Sequence, residues 1–567
     1  MIPLRNNILL YVIILFIISQ LFIPSSLYKG HVLAEDGSAN KISVQSLSED
    51  YQNNHLYENG PTVMLVPLDN RPVNLFVPQH LSTIGGINLI TPPLSILGNE
   101  KTCGLSEQII EWMIEYGDQA DAFIISLDMV AYGGLVASRN DHSLSTNDAI
   151  NRLLIINDLK RTYPEKPIYV FDTIQRLTNT VLSKEELETY HKLREWSKEG
   201  YKSEQQTALP NALDSYKKAR ERNHIVTLAL LNLVHNEIVD FALIGQDDAS
   251  QIGIHTHEQE RLMNVIQSLD ISDKAVIIPG ADQLDVLLIS RFMNVLNNFE
   301  PSFNVHYTTK DGSDWIPDYE DIPLSENVKK HVDVINGTIT TDENHTDIHL
   351  VIHTYRFVNP ALNFDRNEVI KLIRSKLNGN HSVIFADVAN YKADSDLYKL
   401  LLNNNLLLSM ESFASWNTPG NTLGLTISHG SIRQSFYQHG PNILSENEQI
   451  LAYKYHYQYL LHRYLKDNIY KNNILTVLRS SHMIDQFDEW DLGEKKNDIL
   501  LFVQEKLNVE SKDILSVFEG SSLTLPCCEE EQFFISEIPI INITFPWNRL
   551  FEMEIRPEIV IEADKKE

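Results

Sequence analysis

The chain has 567 residues and a formal net charge of −29, with 76 acidic side chains against 47 basic ones. A surface this acidic repels nucleic acid and anionic lipid, so we expect no nucleic-acid partner, whereas neutral ligands such as sugars are tolerated. Only three cysteines occur, and Cys527 and Cys528 are adjacent. The composition therefore predicts neither a disulfide scaffold nor a cysteine-based zinc site.

The N-terminal segment has the pattern of a secretory signal. Residues 7–23 are apolar and follow Arg5, and residues 32–34, Val-Leu-Ala, match the small-residue pattern that signal peptidase prefers. We predict a signal peptide over residues 1–34, a polar linker over 35–60, and a secreted or cell-surface protein without a stable membrane span after cleavage. The apolar run is also long enough to be kept as an anchor, and the sequence leaves that alternative open.

Five apolar segments of strand length in the region 61–430 each run into an acid. These acids are Asp69, Asp128, Asp172, Asp247 and Asp282. Continuous apolar runs are typical of parallel strands buried on both faces, and helical patterns lie between them. The pattern predicts an α/β fold with either a β/α barrel-like core or a layered parallel-sheet core. Because the carboxyl ends of such strands line active sites, we expect the five acids to share one cleft.

One of these strand ends carries two adjacent acids, Asp247 and Asp248. Neighbouring side chains on a strand point to opposite faces, so both can face a cleft only where the strand gives way to its loop. Two carboxylates held close together cannot both ionise at low cost, so one is available as a proton donor near neutral pH. We take the pair as the candidate catalytic residues. The alternative is that one acid caps the following helix while the other is solvated.

A later strand leads into a loop that contains Trp416, Asn417 and Asn421 around Pro419 and Gly420. Sugars bind where an aromatic plane meets the apolar face of the ring and amides meet the hydroxyl groups. The alternative is a structural turn with a buried tryptophan. The candidate substrate-binding residues of the whole site are Asp69, Arg71, Asn74, Asp128, Tyr132, Asp172, Asp282, Trp416, Asn417 and Asn421.

The pattern changes after residue 430. A tyrosine-rich helical pattern comes first, and further helical segments and short strand-like runs follow it. We predict a C-terminal α+β accessory region over residues 431–567, in which no chemical motif is recognised.

Five motifs resemble the recurrent blocks of a bacterial family known only as a domain of unknown function. The resemblance spans roughly residues 61–561 and implies family membership without implying an activity. The motifs are Pro-Leu-Asp-Asn-Arg-Pro-Val-Asn at 67–74, Tyr-Gly-Gly-Leu-Val-Ala-Ser-Arg at 132–139, Gly-Gln-Asp-Asp-Ala-Ser at 245–250, Pro-Gly-Ala-Asp at 279–282 and Trp-Asn-Thr-Pro-Gly-Asn-Thr-Leu-Gly at 416–424.

A second resemblance concerns mechanism. A strand that ends in Asp-Asp, with a later Trp-Asn-x-Pro loop, is similar to the barrel of the O-GlcNAcase-like β-N-acetylglucosaminidases. It implies that Asp247 orients the substrate's acetamido group and that Asp248 protonates the leaving oxygen, with Trp416 and Asn417 contacting the sugar. Sequence-adjacent acids suit such substrate-assisted catalysis, because both acids then work on the same side of the reaction. We therefore expect a secreted glycosidase for N-acetylated sugar that needs no cofactor and no metal.

Two alternatives remain open from the sequence. In a metal-dependent hydrolase, a divalent ion bound at the strand ends would activate water. The ligands would be Asp69, Asp128, Asp247 and Asp248 with His255 or His257. In a non-catalytic glycan-binding envelope protein, Trp416 and the neutral amides would bind sugar in the same cleft, but the acid pair would lack a purpose.

Overall fold

The structure is a computed structural model that describes residues 56–140, 143–199, 210–355, 364–389, 393–523, 525, 532–539 and 541–563. The predicted signal peptide, nearly all of the predicted linker and the adjacent cysteines Cys527 and Cys528 lie outside the described residues. Among the helices of the described part, none is both long enough and apolar enough to span a membrane.

The first sheet has six parallel strands in the order β2-β1-β3-β4-β5-β6. Most of its strand residues are buried, as expected for apolar segments covered by helices on both faces. The strands are β1 Thr62–Val66, β2 Asn88–Ile90, β3 Ala122–Ser126, β4 Ile168–Ile174, β5 Phe241–Gln246 and β6 Ala275–Pro279. The accompanying helices are α1 Phe76–Ile84, α2 Ser106–Tyr116, α3 Leu127–Tyr132, α4 Leu135–Asn140, α5 Thr146–Arg152, α6 Leu154–Thr162, α7 Glu186–Lys198, α8 Pro210–His235, α9 Ile254–Ser268 and α10 Leu284–Leu296.

The second sheet has five parallel strands in the order β8-β7-β9-β10-β11. The order repeats that of the first five strands of the first sheet. The strands are β7 Ser302–Tyr307, β8 Thr338–Ile339, β9 Ile348–His353, β10 Ser382–Asp387 and β11 Ser412–Ala414. The helices are α11 Leu324–Val334, α12 Arg366–Asn378, α13 Ser395–Asn403 and α14 Pro419–His439. The α/β class is confirmed, and of the two predicted cores the described strands form the layered one.

Two helices join the sheets. Helix α10 packs against β3, β4 and β5, while α14 packs against β9, β10 and β11, and the two helices also contact each other. Helix α14 starts at Pro419, where the missing amide hydrogen costs nothing, and it is buried along most of its length. A Cβ atom at Gly424 would lie 2.2 Å from Cγ of Gln283, so only glycine permits this approach. The two sheets therefore share one continuous apolar core.

The C-terminal region is mixed α+β, as predicted. Its longest helix, α15, begins with a capping box between Ser445 and Glu448 and packs against α1. Because α14 continues across residue 430, the predicted boundary falls inside a helix. The helices are α15 Glu446–Arg463, a π-helical continuation Tyr464–Ile474, α16 Leu475–Ser480, α17 Lys496–Glu510 and α18 Lys512–Phe518. The strands are β12 Ser522–Leu523, β13 Phe533–Glu537 and β16 Val560–Ala563 in one antiparallel sheet, and β14 Ile541–Thr544 and β15 Glu554–Pro557 in another.

Short 3₁₀ turns connect several of these elements. They are Leu94–Ile96, Gly117–Gln119, Glu343–His345, Gly440–Asn442, Gly493–Lys495 and Leu550–Glu552.

Candidate active site

The strand order of the first sheet reverses between β1 and β3. In open parallel sheets a crevice forms at such a point, outside the carboxyl ends of the strands. Asp69 follows β1 and Asp128 follows β3, so both lie at this crevice. Of the other three predicted acids, Asp172 lies near the end of β4, Asp247 directly follows β5, and Asp282 lies three residues after β6. Because all six strands are parallel, the structure brings the five acids to one edge of the sheet.

Arg71 connects three carboxylates at this edge. Its Nε atom lies 2.8 Å from Oδ2 of Asp69, Nη2 lies 2.5 Å from Oδ1 of Asp282, and Nη1 lies 3.4 Å from Oε1 of Glu552. The Asn74 side chain donates a further hydrogen bond of 2.8 Å to Oδ1 of Asp69. Arg71 thus ties the loop after β1 to the start of α10 and to the C-terminal region.

Asn421 holds the loop that carries Asp282. Its Oδ1 atom accepts hydrogen bonds from the backbone amides of Ala281, at 3.3 Å, and Asp282, at 3.2 Å. Burial raises the pKa of Asp282 to about 6, although the charge of Arg71 opposes the shift. Asn421, which the sequence predicted as a substrate contact, is buried, and its oxygen is used to position this acid.

Three of the predicted site residues are buried beneath the cleft, namely Asp128, Asp172 and Tyr132. Thr173 donates a hydrogen bond of 2.8 Å to Asp128, and Thr227 donates one of 2.5 Å to Asp172. Burial raises the pKa of Asp128 to about 6 and raises that of Asp172 well above its usual value, with a further contribution from the charge of Asp128. All three predicted residues are buried, so they form a layer that supports the cleft from below.

The adjacent acids Asp247 and Asp248 have different surroundings. Asp247 is buried and forms an ion pair through Oδ2 with Nη2 of Arg139. The side chain of Asp248 is 23% exposed, and its Oδ2 lies 3.6 Å from Nη1 of Arg176. Burial and the charge of Asp247 both raise the pKa of Asp248. The backbone of Asp248 has a φ of 25°, a left-handed value that is strained for a residue with a side chain and is often found at functional sites.

Apart from Arg71, the arginines at this edge were not among the predicted site residues. Arg139 donates to Thr180 at 3.1 Å as well as to Asp247, and Arg176 faces Asp248. Arg139 is the last residue of the motif at 132–139, and Arg176 lies two residues after the end of β4. These positions were the available signal. Arg549 is 5% exposed, its Nε makes no hydrogen bond within the described structure, and burial lowers its pKa to about 10.

The C-terminal region also contributes an aromatic ring. The indole nitrogen of Trp547 donates a hydrogen bond to Oδ1 of Asn70. The guanidinium carbons of Arg71 and Arg549 lie 5.3 Å and 4.9 Å from the ring centre, within the range of cation–π contacts. The region in which no chemical motif was recognised therefore supplies Trp547, Arg549 and Glu552 to the cleft.

Trp416 is buried, whereas an aromatic ring that stacks on a sugar has an exposed face. The residue is 5% exposed, and the ammonium groups of Lys466 and Lys471 lie 5.9 Å and 5.7 Å from its ring centre. Its backbone amide is bound by the hydroxyl of Thr422. These contacts match the predicted alternative, a structural turn with a buried tryptophan. Asn417 is exposed and occupies the left-handed region, with a φ of 60°.

Two cavities open near the strand ends. The smaller, of about 280 Å³, lies over Asp69 and is also lined by Gly133, Gly134 and Trp547. The larger, of about 730 Å³, is lined by the loop after Asp248 and by Tyr319. Tyr319 is 38% exposed, and Cζ of Arg194 lies 4.4 Å from its ring centre. The sequence analysis missed this tyrosine because it lies in an irregular segment without a recognisable motif.

The ligands of the metal alternative do not converge. His255 is buried beside Asp321, at 3.4 Å, and His257 is exposed beside Glu260, at 3.8 Å. Asp69 and Asp247 are engaged by arginines. Within the described ranges, the proposed acids and histidines do not form a group with the spacing of metal ligands.

Fold and site together define a two-sheet α/β protein with a cleft of paired acids and arginines at the carboxyl edge of its first sheet. The chain belongs to the family described as protein of unknown function (DUF4127), whose family model matches residues 63–556. This match confirms the predicted membership of a family of unknown function. Comparison with curated proteins found no match to the chain.

Proposed function

We propose that the chain is a carbohydrate-active hydrolase, a glycosidase for N-acetylated sugar, in which Asp248 is the general acid and Asp247 orients the acetamido group. The observation that carries the proposal is the contrast within the pair. Asp247 is buried in an ion pair with Arg139, whereas Asp248 reaches the surface of the cleft and has a raised pKa.

A general acid must be protonated near the working pH and must reach the leaving oxygen. Partial exposure gives Asp248 access to a ligand, and the neighbouring charge of Asp247 favours its protonated form. The ion pair with Arg139 fixes the carboxylate of Asp247 in place, as a group that orients the acetamido group requires. Two acids on one side of the reaction suit the substrate-assisted route, in which the acetamido oxygen is the nucleophile.

The larger cavity supports a sugar as the ligand. Its volume of about 730 Å³ falls within the range of small-molecule sites. Tyr319 offers an exposed aromatic ring there, the role that the sequence had given to Trp416. Ser250 and Gln251, which also line the cavity, offer hydroxyl and amide groups to sugar hydroxyls.

Export is part of the proposal. It rests on the signal-like pattern of residues 1–34 and on the acidic composition, which suits neutral ligands. The test is to express the full chain in a bacterium that has members of this family and to sequence the N-terminus of the mature protein. A cytoplasmic protein that still begins at Met1 would contradict it.

The test of the mechanism compares Asp248→Asn with Asp247→Asn on chromogenic N-acetylglycosides that differ in leaving group. Asp248→Asn should lose on the order of 10²- to 10⁴-fold in rate on poor leaving groups and much less on activated aryl glycosides, whose departure needs little protonation. Asp247→Asn should damage both substrate classes, because orientation and charge stabilisation are needed in each.

The matched control is Asp240→Asn. Asp240 lies at the other end of β5, where it pairs with Lys160 at 3.0 Å. This variant should keep the activity of the unmodified protein on every substrate. Losses that are the same for both cleft variants and do not depend on the leaving group would contradict the assignment of Asp248.

A further inference from the structure

A cluster of nitrogen and oxygen atoms lies on the second sheet and includes no residue of the cleft. His349 belongs to β9, His381 immediately precedes β10, and Glu343 lies in the 3₁₀ turn Glu343–His345. One ligand atom from each of the three side chains lies within 4.8 Å of the others. Three different chain segments thus bring two imidazoles and a carboxylate to one point.

His349 is the most informative member. It is completely buried, and its Nδ1 lies 3.0 Å from Nε2 of His306. Its Nε2 makes no hydrogen bond within the described structure and lies 3.9 Å from Oε2 of Glu343. A buried polar atom without a partner is costly, and native proteins rarely keep one without a reason. A metal ion between Nε2 and the carboxylate would satisfy it.

Hydrogen bonds from the neighbouring side chains orient the ligand atoms of the cluster. When Nδ1 of His349 donates its hydrogen to His306, the lone pair of Nε2 is free to bind, which is the usual outer-shell arrangement of a metal-bound histidine. Lys376 binds Oε1 of Glu343 and leaves Oε2 on the side of His349.

We propose that Glu343, His349 and His381 form a binding site for a divalent transition-metal ion, with Zn²⁺ as the best fit. Two imidazoles and one carboxylate are a known zinc ligand set, and water completes the tetrahedron because Glu343 is exposed. The ion would tie the 343–345 turn to β9 and to the start of β10. His306 is a positioning residue that acts through His349.

The experiment measures Zn²⁺ binding to the full chain without a histidine tag, in competition with a chromophoric chelator. The unmodified protein should bind one equivalent and unfold at a higher temperature when zinc is present. Glu343→Gln and His381→Gln are preferred variants because Glu343 is exposed and His381 is only partly buried, so both should fold. Each should weaken binding by more than about 10-fold, and His306→Gln by roughly 10- to 100-fold.

The matched control is His345→Gln. His345 lies in the same turn as Glu343, but its side chain is exposed and pairs with Asp342 at 2.8 Å. It should bind zinc as tightly as the unmodified protein. Absence of zinc binding by the unmodified protein overturns the proposal, and so does equal binding by the Glu343 and His381 variants, because the ion would then lie at other histidines.

Discussion

Replacing Arg71 by methionine tests how strongly the cleft depends on one buried cation. The change keeps an unbranched apolar stem and removes the charge that contacts Asp69, Asp282 and Glu552, all of them buried. Removing one partner of a buried ion pair costs about 3–5 kcal/mol, because the remaining charge is left without compensation. We expect a loss of this size in the free energy of unfolding at about pH 8.

The loss should depend on pH. The pKa of Asp282 is about 6 in the folded protein, above its ordinary value of 3.8. Because the folded form holds this proton more tightly, the contribution of Asp282 to stability is greatest below pH 3.8 and falls by about 3 kcal/mol as the pH rises to about 6. Without Arg71 the pKa of Asp282 should rise further, so the decline should continue to higher pH. The penalty of Arg71→Met should therefore be smaller at about pH 5 than at about pH 8.

Urea unfolding followed by intrinsic fluorescence measures these differences. The control is Arg161→Met, which removes an exposed pair with Asp158 at 2.9 Å and should cost less than about 1 kcal/mol. Adding Asp282→Asn to Arg71→Met should recover part of the loss, because one of the buried charges is then absent. The reasoning is refuted if Arg71→Met costs no more than Arg161→Met, or if its cost is the same at both pH values.

Three further substitutions test the packing around the cleft. Trp416→Ala should lower the free energy of unfolding by about 3–5 kcal/mol and leave ligand affinity nearly unchanged, since the ring is buried; calorimetric titration showing the opposite would restore its role as a sugar platform. Gly424→Ala should cost roughly 1–3 kcal/mol in urea unfolding, because the new Cβ would meet Gln283. Burial raises the pKa of Glu320 to about 8, so the unmodified protein should lose stability from about pH 5 to pH 8. The Glu320→Gln variant should lose less stability over the same pH range. If its unfolding free energy falls with pH as steeply as that of the unmodified protein, Glu320 is not the group responsible.

The strand ends could be predicted because they leave a local pattern. A continuous apolar run that stops at an acid identifies the end of a buried parallel strand, and all five acids lie at one edge. The division of the strands into two sheets could not be predicted, because apolar runs do not state which strand pairs with which. The distance of 481 positions between Arg71 and Glu552 explains why the C-terminal contribution was missed. Burial of Trp416 likewise depends on Lys466 and Lys471, which are distant in sequence.

The two sheets share a strand order but differ at their carboxyl edges. At the reversal point of the second sheet, Thr308 lies 3.1 Å from Nδ1 of His353, and Nε2 of His353 lies 3.1 Å from Asp394. Arg366 also binds Asp394, at 2.9 Å. These groups satisfy one another among the described residues, so a ligand there would first have to break their bonds. The first sheet instead leaves Asp248 partly exposed beside a large cavity, which favours it as the site of chemistry.

The cleft also depends on residues far beyond the first sheet. Asn421 sets the loop that carries Asp282, and Glu552 is the third partner of Arg71. A protein truncated at residue 430 would lose Glu552, Trp547 and the second half of helix α14, which packs between the sheets. Asp69 and Asp282 would still be present, but Arg71, which pairs with both, would lose its contacts with Glu552 and with the ring of Trp547. The cleft therefore includes the C-terminal region as part of its structure, and a test of its function requires the full chain.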